Sequence, residues 1–76
     1  MKRLVEFVAR SLVDNADGVK VMDVTSADGF TVFEVYCDPT EKGKLIGKAG
    51  RTAKAFRTLV RSVGARHGKK VTVEIV

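Results

Sequence analysis

Near the amino terminus, Leu4, Val5, Val8, Ala9, Leu12 and Val13 recur at helical spacing, a stripe that predicts an amphipathic helix over residues 2–15. The following "DNADG" supplies a stop, with Gly18 suited to a left-handed cap. From Val19 to Thr25 the pattern becomes β-branched, "SADG" offers turn chemistry, and "FTVFEVYC" (Phe30 to Cys37) alternates as a strand does. The two runs predict a hairpin. In its second strand Thr31, Phe33, Val35 and Cys37 share one face, and Phe30, Val32, Glu34 and Tyr36 the other. Both faces carry apolar residues, so something besides solvent is expected over Val32.

"DPTE" then reads as a helix start, with Asp38 as cap, Pro39 at the first helical position and Glu41 three residues on, spaced to reach back to the cap. A short helix is predicted from Pro39 to Ile46, broken at Gly47–Gly50. A third helix follows, on which Ala53, Phe56, Leu59, Val60 and Val63 form the apolar stripe and Gly64 is the expected stop. "GARHGKK" reads as a loop, and "VTVEIV" as a half-buried strand with Val71, Val73 and Ile75 inward. Phe7, Phe33 and Phe56 are expected in the core. The order αββααβ predicts an α+β domain occupying residues 1–76, without an internal repeat or low-complexity linker.

Charge changes this picture more than composition does. Residues 1–41 hold four Lys/Arg against eight Asp/Glu, and residues 42–76 hold ten against one, Glu74, so the halves carry −4 and +9. A positive field concentrated in one half favours a polyanionic partner. No apolar run approaches the roughly 20 residues a membrane span needs, and Glu6 and Arg10 interrupt any leader-like core in "MKRLVEFVAR", so a mature cytoplasmic chain is expected. Cys37 and His67 are single representatives of their types, which leaves no internal disulfide and no zinc cluster; neither a metal nor another cofactor is expected.

The stretch "KLIGKAGRTAK" (Lys44 to Lys54) interrupts helix-forming sequence with Gly47 and Gly50. Glycine in a helix interior costs up to about 1 kcal/mol relative to alanine, so two within four residues favour a loop between two helices. With Arg51 at 0°, Lys54, Arg57 and Arg61 fall at roughly 300°, 240° and 280°, whereas the apolar stripe spans roughly 80° to 200°. The third helix therefore offers cations on one side and packs with another. Its N-terminus opens at Gly50, where backbone N–H groups, nearby Lys48 and Arg51, and glycines without Cβ atoms suit a phosphate.

In that setting Ile46-Gly47-Lys48-Ala49-Gly50 resembles the Ile-Gly-x-x-Gly core of a type II KH domain, and the resemblance covers essentially the whole chain, including its αββααβ order. It is similar to the small stand-alone bacterial KH proteins. Ala53 departs from the larger aliphatic residue common at its position in the family. The resemblance implies a three-stranded mixed sheet packed against three helices, with a groove holding about four unpaired nucleotides. It also implies roles: Gly47, Lys48, Ala49 and Gly50 clamp the sugar–phosphate backbone; Ile46, Ala53 and Val32 line an apolar floor under the bases; Lys44, Arg51, Lys54 and Arg57 face phosphates. The implied partner is single-stranded RNA, with single-stranded DNA left open, and the implied role is that of an RNA chaperone or post-transcriptional regulator. The alternative is an assembly subunit, a homodimer or a heteromer with a larger KH-containing protein, in which RNA binding is secondary.

Other chemistry finds less support. Gly43 and Gly47 enclose three residues rather than the four of a nucleotide-binding P-loop, and Gly43, Gly47 and Gly50 do not match the dinucleotide fingerprint. Cys37 ends a strand while His67 sits in a loop, a poor basis for a nucleophile and its base. Asp14, Asp17 and Asp23 lie near turns, where capping explains them. The chain reads as a binding protein and not as an enzyme.

Overall fold

The computed structural model describes all 76 residues. Three helices, α1 (Lys2–Leu12), α2 (Lys42–Ile46) and α3 (Arg51–Arg66), pack on one face of a sheet formed by β1 (Lys20–Thr25), β2 (Thr31–Tyr36) and β3 (Val71–Ile75). β2 is central, antiparallel to β1 and parallel to β3. The three-stranded mixed sheet that the resemblance implies is therefore present.

Register decides which side chains meet the helices. Val21 stands opposite Val35, and Phe33 is shared between Asp23 on one side and Val73 on the other. Val21, Phe33, Val35, Val71 and Val73 point under the helices and are buried. They meet Val5 and Ala9 from α1, Val13 and Val19 from the stretch between α1 and β1, Leu45 from α2, and Phe56 and Val60 from α3, a core of twelve residues in all. Valine dominates this core, so its thickness depends on close backbone approach more than on large side chains.

The opposite sheet face carries Met22, Val24 and Val32, with Met22 56% and Val24 51% exposed. No helix covers it; only the edge beside β3 is overlapped, where the Arg61 Nε donates to the Thr72 hydroxyl at 3.2 Å.

Several local expectations change in the folded chain. α1 ends at Leu12, and Val13 continues in extended conformation. Gly18 closes a single 3₁₀ turn, Ala16–Gly18, rather than forming a left-handed cap, because the chain is already turning into β1. Phe7 is 70% exposed instead of buried. It lies roughly 200° around the helix from Val5, so the stripe that buries Val5 and Ala9 turns Phe7 outward. Leu59 sits at the margin of the α3 stripe and remains partly exposed.

Gly64 does not stop α3, which runs on to Arg66. A Cβ at Gly64 would lie 2.3 Å from Val71 Cγ2 and 3.2 Å from the Lys69 carbonyl, so glycine here lets α3 lie against β3. The terminator is Gly68, at φ 67°. Its N–H donates to the Ala65 carbonyl (3.0 Å) and the Lys69 N–H to the Gly64 carbonyl (2.8 Å), the paired bonds of a Schellman cap.

The Pro39–Ile46 helix is likewise two pieces, a 3₁₀ turn over Pro39–Glu41 and then α2. Asp38 caps as expected, accepting from the Thr40 N–H at 2.9 Å and the Thr40 hydroxyl at 2.8 Å. These bonds hold its carboxyl below the ordinary value of 3.8. Glu41 does not reach back to Asp38. Its buried carboxylate instead accepts from the backbone N–H groups of Asp14 (2.5 Å) and Asn15 (3.0 Å), tying the chain after α1 to the start of α2. A long-range pair of donors outcompetes the local cap because the turn beyond α1 would otherwise leave those N–H groups without partners.

Candidate functional site

The break between α2 and α3 is a tight turn in which three of four residues have positive φ: Gly47 (75°), Ala49 (57°) and Gly50 (75°). The Gly47 N–H closes α2 on the Gly43 carbonyl at 2.8 Å, and the Gly50 N–H donates to the Gly47 carbonyl at 3.1 Å. The Arg51 N–H bonds to the Lys48 carbonyl. Part of the donor set at the start of α3 is thus used within the turn, and the positive charge offered there comes chiefly from Lys48 and Arg51.

The two glycines serve different ends. A Cβ on Gly47 would lie 2.1 Å from Thr52 Oγ1 and 2.9 Å from the Thr52 backbone nitrogen. Gly47 therefore lets the turn close onto α3, and the space freed by its missing side chain is filled from inside. At Gly50 nothing lies within 4 Å of the corresponding point, which is open to solvent. Only there does the missing side chain leave a surface that another molecule's backbone can approach. Ala49, exposed and in the left-handed region, adds a small side chain at the tip.

Around this turn the structure gathers Ile46, Lys48, Ala49, Gly50, Arg51, Ala53 and Lys54. Ile46 is 39% exposed and Ala53 half-buried, while Lys48, Arg51 and Lys54 are exposed. Val32 and Arg57 belong to a second group. They line an open cleft at the β3 edge together with Arg61, Thr72 and Glu74. Arg57 is seven residues into α3 from Gly50, about 10 Å along the axis, so the helix joins the two groups. Arg61 was legible as part of the basic stripe; Thr72 and Glu74 were not, because only the parallel register of β3 sets Thr72 opposite Val32 and Glu74 opposite Glu34.

Lys44 differs from the other cations. Its ammonium bonds to the Asp14 carboxylate and lies 3.5 Å from that of Glu41. The Asp14 hydrogen bond, the largest influence, raises its pKa above 10.5. Lys48, Arg51, Lys54 and Arg57 have no such partner; the ion pairs of the chain involve Lys2, Arg10 and Lys44. At Cys37, burial, reinforced by the Glu41 and Asp38 charges, pushes the thiol up, away from a reactive thiolate. No group of His, Cys, Asp and Glu side chains has an arrangement that could hold a metal ion, and no helix is long and apolar enough to cross a membrane.

A family model described as the KhpA/KhpB KH domain matches residues 2–75. A protein of Clostridium perfringens named RNA-binding protein KhpA is 45% identical over 76 residues, covering all of both chains. One of the same name from Aquifex aeolicus is 43% identical over all of this chain and 95% of its own. Another from Mycobacterium tuberculosis is 47% identical over 95% of this chain and 85% of its own.

Proposed function

Because this chain belongs to the KhpA/KhpB family of KH domains, a family of binding domains and not of enzymes, we propose that it binds single-stranded RNA at the turn between α2 and α3. The observation that carries the reading is the open Gly50 surface flanked by Lys48, Arg51 and Lys54, none of which is paired with a carboxylate. Gly47 shapes the turn, Lys48–Ala49–Gly50 borders the sugar–phosphate backbone, and about four nucleotides run from there along α3 toward Arg57 and Val32. Ile46 and Ala53 offer apolar surface to the bases. Lys44, held by Asp14 and Glu41, orients α2 rather than contacting phosphate.

With about three phosphates neutralised, log affinity falls with log salt at a slope of about −2, using roughly −0.7 per contact on a single strand. Such a site binds weakly alone, which fits an RNA chaperone or post-transcriptional regulator acting in the cytoplasm. The test is Lys48→Asp combined with Ala49→Asp. Aspartate tolerates the left-handed region better than alanine does, so the fold is retained while two like charges face the phosphates. Loss of RNA binding with an unchanged circular dichroism spectrum is expected; undiminished binding would refute the site. The same oligonucleotide made as DNA reports how far the 2′-hydroxyls matter.

A second reading, that the chain also serves as an assembly subunit, is favoured by the exposed Met22 and Val24 on the uncovered sheet face and by Leu59 on α3. Pairing as a homodimer, or with a larger KH-containing partner, would raise the effective concentration of two weak RNA sites without new RNA contacts. Light scattering that returns a monomer at all concentrations, alone and with such a partner, would remove this reading.

A further inference from the structure

The loop joining α3 to β3 carries Lys69 and Lys70, far from the turn at Gly47–Gly50, and the structure gives this pair an ordered setting. The Lys69 N–H is held by the Gly64 carbonyl (2.8 Å), and the Lys70 carbonyl accepts from the Thr31 N–H (2.9 Å), so the loop is pinned both to α3 and to the head of β2. Gly68 and Gly29, both at positive φ with open space where a Cβ would stand, border a concave surface with the two lysines. Asp28, the one carboxylate lining that surface, is engaged by the Ser26 hydroxyl and the Phe30 N–H (3.2 Å) and has no cation within ion-pairing distance. Neither lysine has a carboxylate partner, and the α3 carbonyls beneath them are already capped by the His67, Gly68 and Lys69 N–H groups.

This surface lies at the start of the same strand pair as the cleft described above: it is lined by Thr31 and Val71, and the cleft by the next residues, Val32 and Thr72, where Arg61 is anchored. Successive strand residues face opposite sides of the sheet, so a nucleic-acid strand passing from one to the other rounds the β3 edge. Every Lys and Arg from Lys48 to Lys70 lacks a carboxylate partner, although the first half of the chain carries eight acidic residues. Unpaired cations thus run from the Gly47–Gly50 turn, past Arg57 and Arg61, to Lys69 and Lys70. α3 spans about 24 Å, which at roughly 3.4 Å per phosphate of a stacked strand corresponds to about seven phosphates.

Resting on the RNA-binding reading above, we propose that Lys69 and Lys70 form a second phosphate-contact site, so that a single RNA strand held at Gly47–Gly50 continues along the β3 edge to the α3–β3 loop. The footprint is then longer than the four nucleotides at the turn. Strand length becomes a determinant of affinity through two further ionic contacts.

The test measures fluorescence anisotropy of randomised-sequence RNA 4-mers and 10-mers across a salt series. Two further contacts add about −1.4 to the salt slope of the 10-mer, so its affinity advantage over the 4-mer should shrink about sevenfold between 50 and 200 mM salt. In Lys69→Gln/Lys70→Gln, whose side chains are exposed, that extra slope should vanish while 4-mer binding stays as in the parent. An unchanged 10-mer slope in this variant overturns the second site, and does so without touching the first if Lys48→Asp/Ala49→Asp abolishes 4-mer binding. Retained 4-mer binding in the latter variant refutes the turn itself, and a parent protein that binds neither oligomer overturns both.

Discussion

Replacing Gly47 and Gly50 in turn by alanine separates two glycines that a sequence motif treats alike. At Gly50 the substitution puts a Cβ into open space at φ 75°, ψ 12°, an ordinary left-handed conformation. This costs about 1–2 kcal/mol, offset by about 0.4–1 kcal/mol because alanine narrows the unfolded ensemble. The net loss is about 1 kcal/mol. At Gly47 the conformation is φ 75°, ψ 173°, a region essentially restricted to glycine and worth about 1–3 kcal/mol of strain. The new methyl also meets Thr52 Oγ1 at 2.1 Å and its backbone nitrogen at 2.9 Å. The hydroxyl could rotate away, but the backbone nitrogen belongs to the first turn of α3, so overpacking adds about 1–3 kcal/mol. After the same offset the loss is about 3 kcal/mol. In a domain of this size 1 kcal/mol moves the melting temperature by about 4–8 °C, so Gly47→Ala should melt at least about 8 °C below Gly50→Ala. Thermal melts followed at 222 nm, with urea titrations as a check, measure the difference. If the two variants melt within about 3 °C of each other, the inward role given to Gly47 is wrong. Gly50→Ala should nonetheless weaken RNA binding, because its methyl projects where the nucleic-acid backbone is proposed to pass.

Three further outcomes test the packing around the site. Glu41→Ala strips the acceptors from the Asp14 and Asn15 N–H groups and should cost about 2–3 kcal/mol, the usual penalty for partly buried donors left unpaired, read as a lower urea midpoint with an unchanged slope. Gly64→Ala should destabilise by about 1–2 kcal/mol despite its better helix propensity, and Val71→Ala in that background should recover part of the loss, seen as a non-additive double-mutant cycle. The carboxyls of Asp28, bonded first by Ser26 and then by the Phe30 N–H, and of Asp38 are held below 3.8 in the folded chain. The stability they contribute is therefore full above that value and is lost as pH falls through the lowered folded pKa. Asp28→Asn/Asp38→Asn should flatten the acid limb below about pH 4, measured as urea midpoints at successive pH values.

The interruption at Gly47–Gly50, the hairpin at "SADG" and the basic stripe of α3 were legible because each is a local pattern. Left-handed turns favour glycine, and a 3.6-residue period sorts cations from apolar residues whatever the rest of the chain does. The misread positions share the opposite character. Gly64 looked like a helix stop, yet its reason is Val71, which lies across a loop and on another element. Glu41 was spaced for a local cap but answers N–H groups 26 and 27 residues earlier. The chemistry of Phe7 suits a core, but the stripe containing Val5 and Ala9 points it away.

The sequence by itself therefore determined the elements, their order, the glycine turn and the side of α3 on which charge accumulates, since these follow from backbone sterics and side-chain period. The tertiary structure alone decided which cations remain available. Ion pairing depends largely on what distant segments bring within a few ångströms, and folding sets Asp14, 30 residues earlier, on Lys44 while leaving Lys48, Arg51 and their successors unpaired. It likewise decided that Gly47 faces inward and Gly50 outward, because only the closure of the turn onto Thr52 distinguishes two residues that are chemically identical.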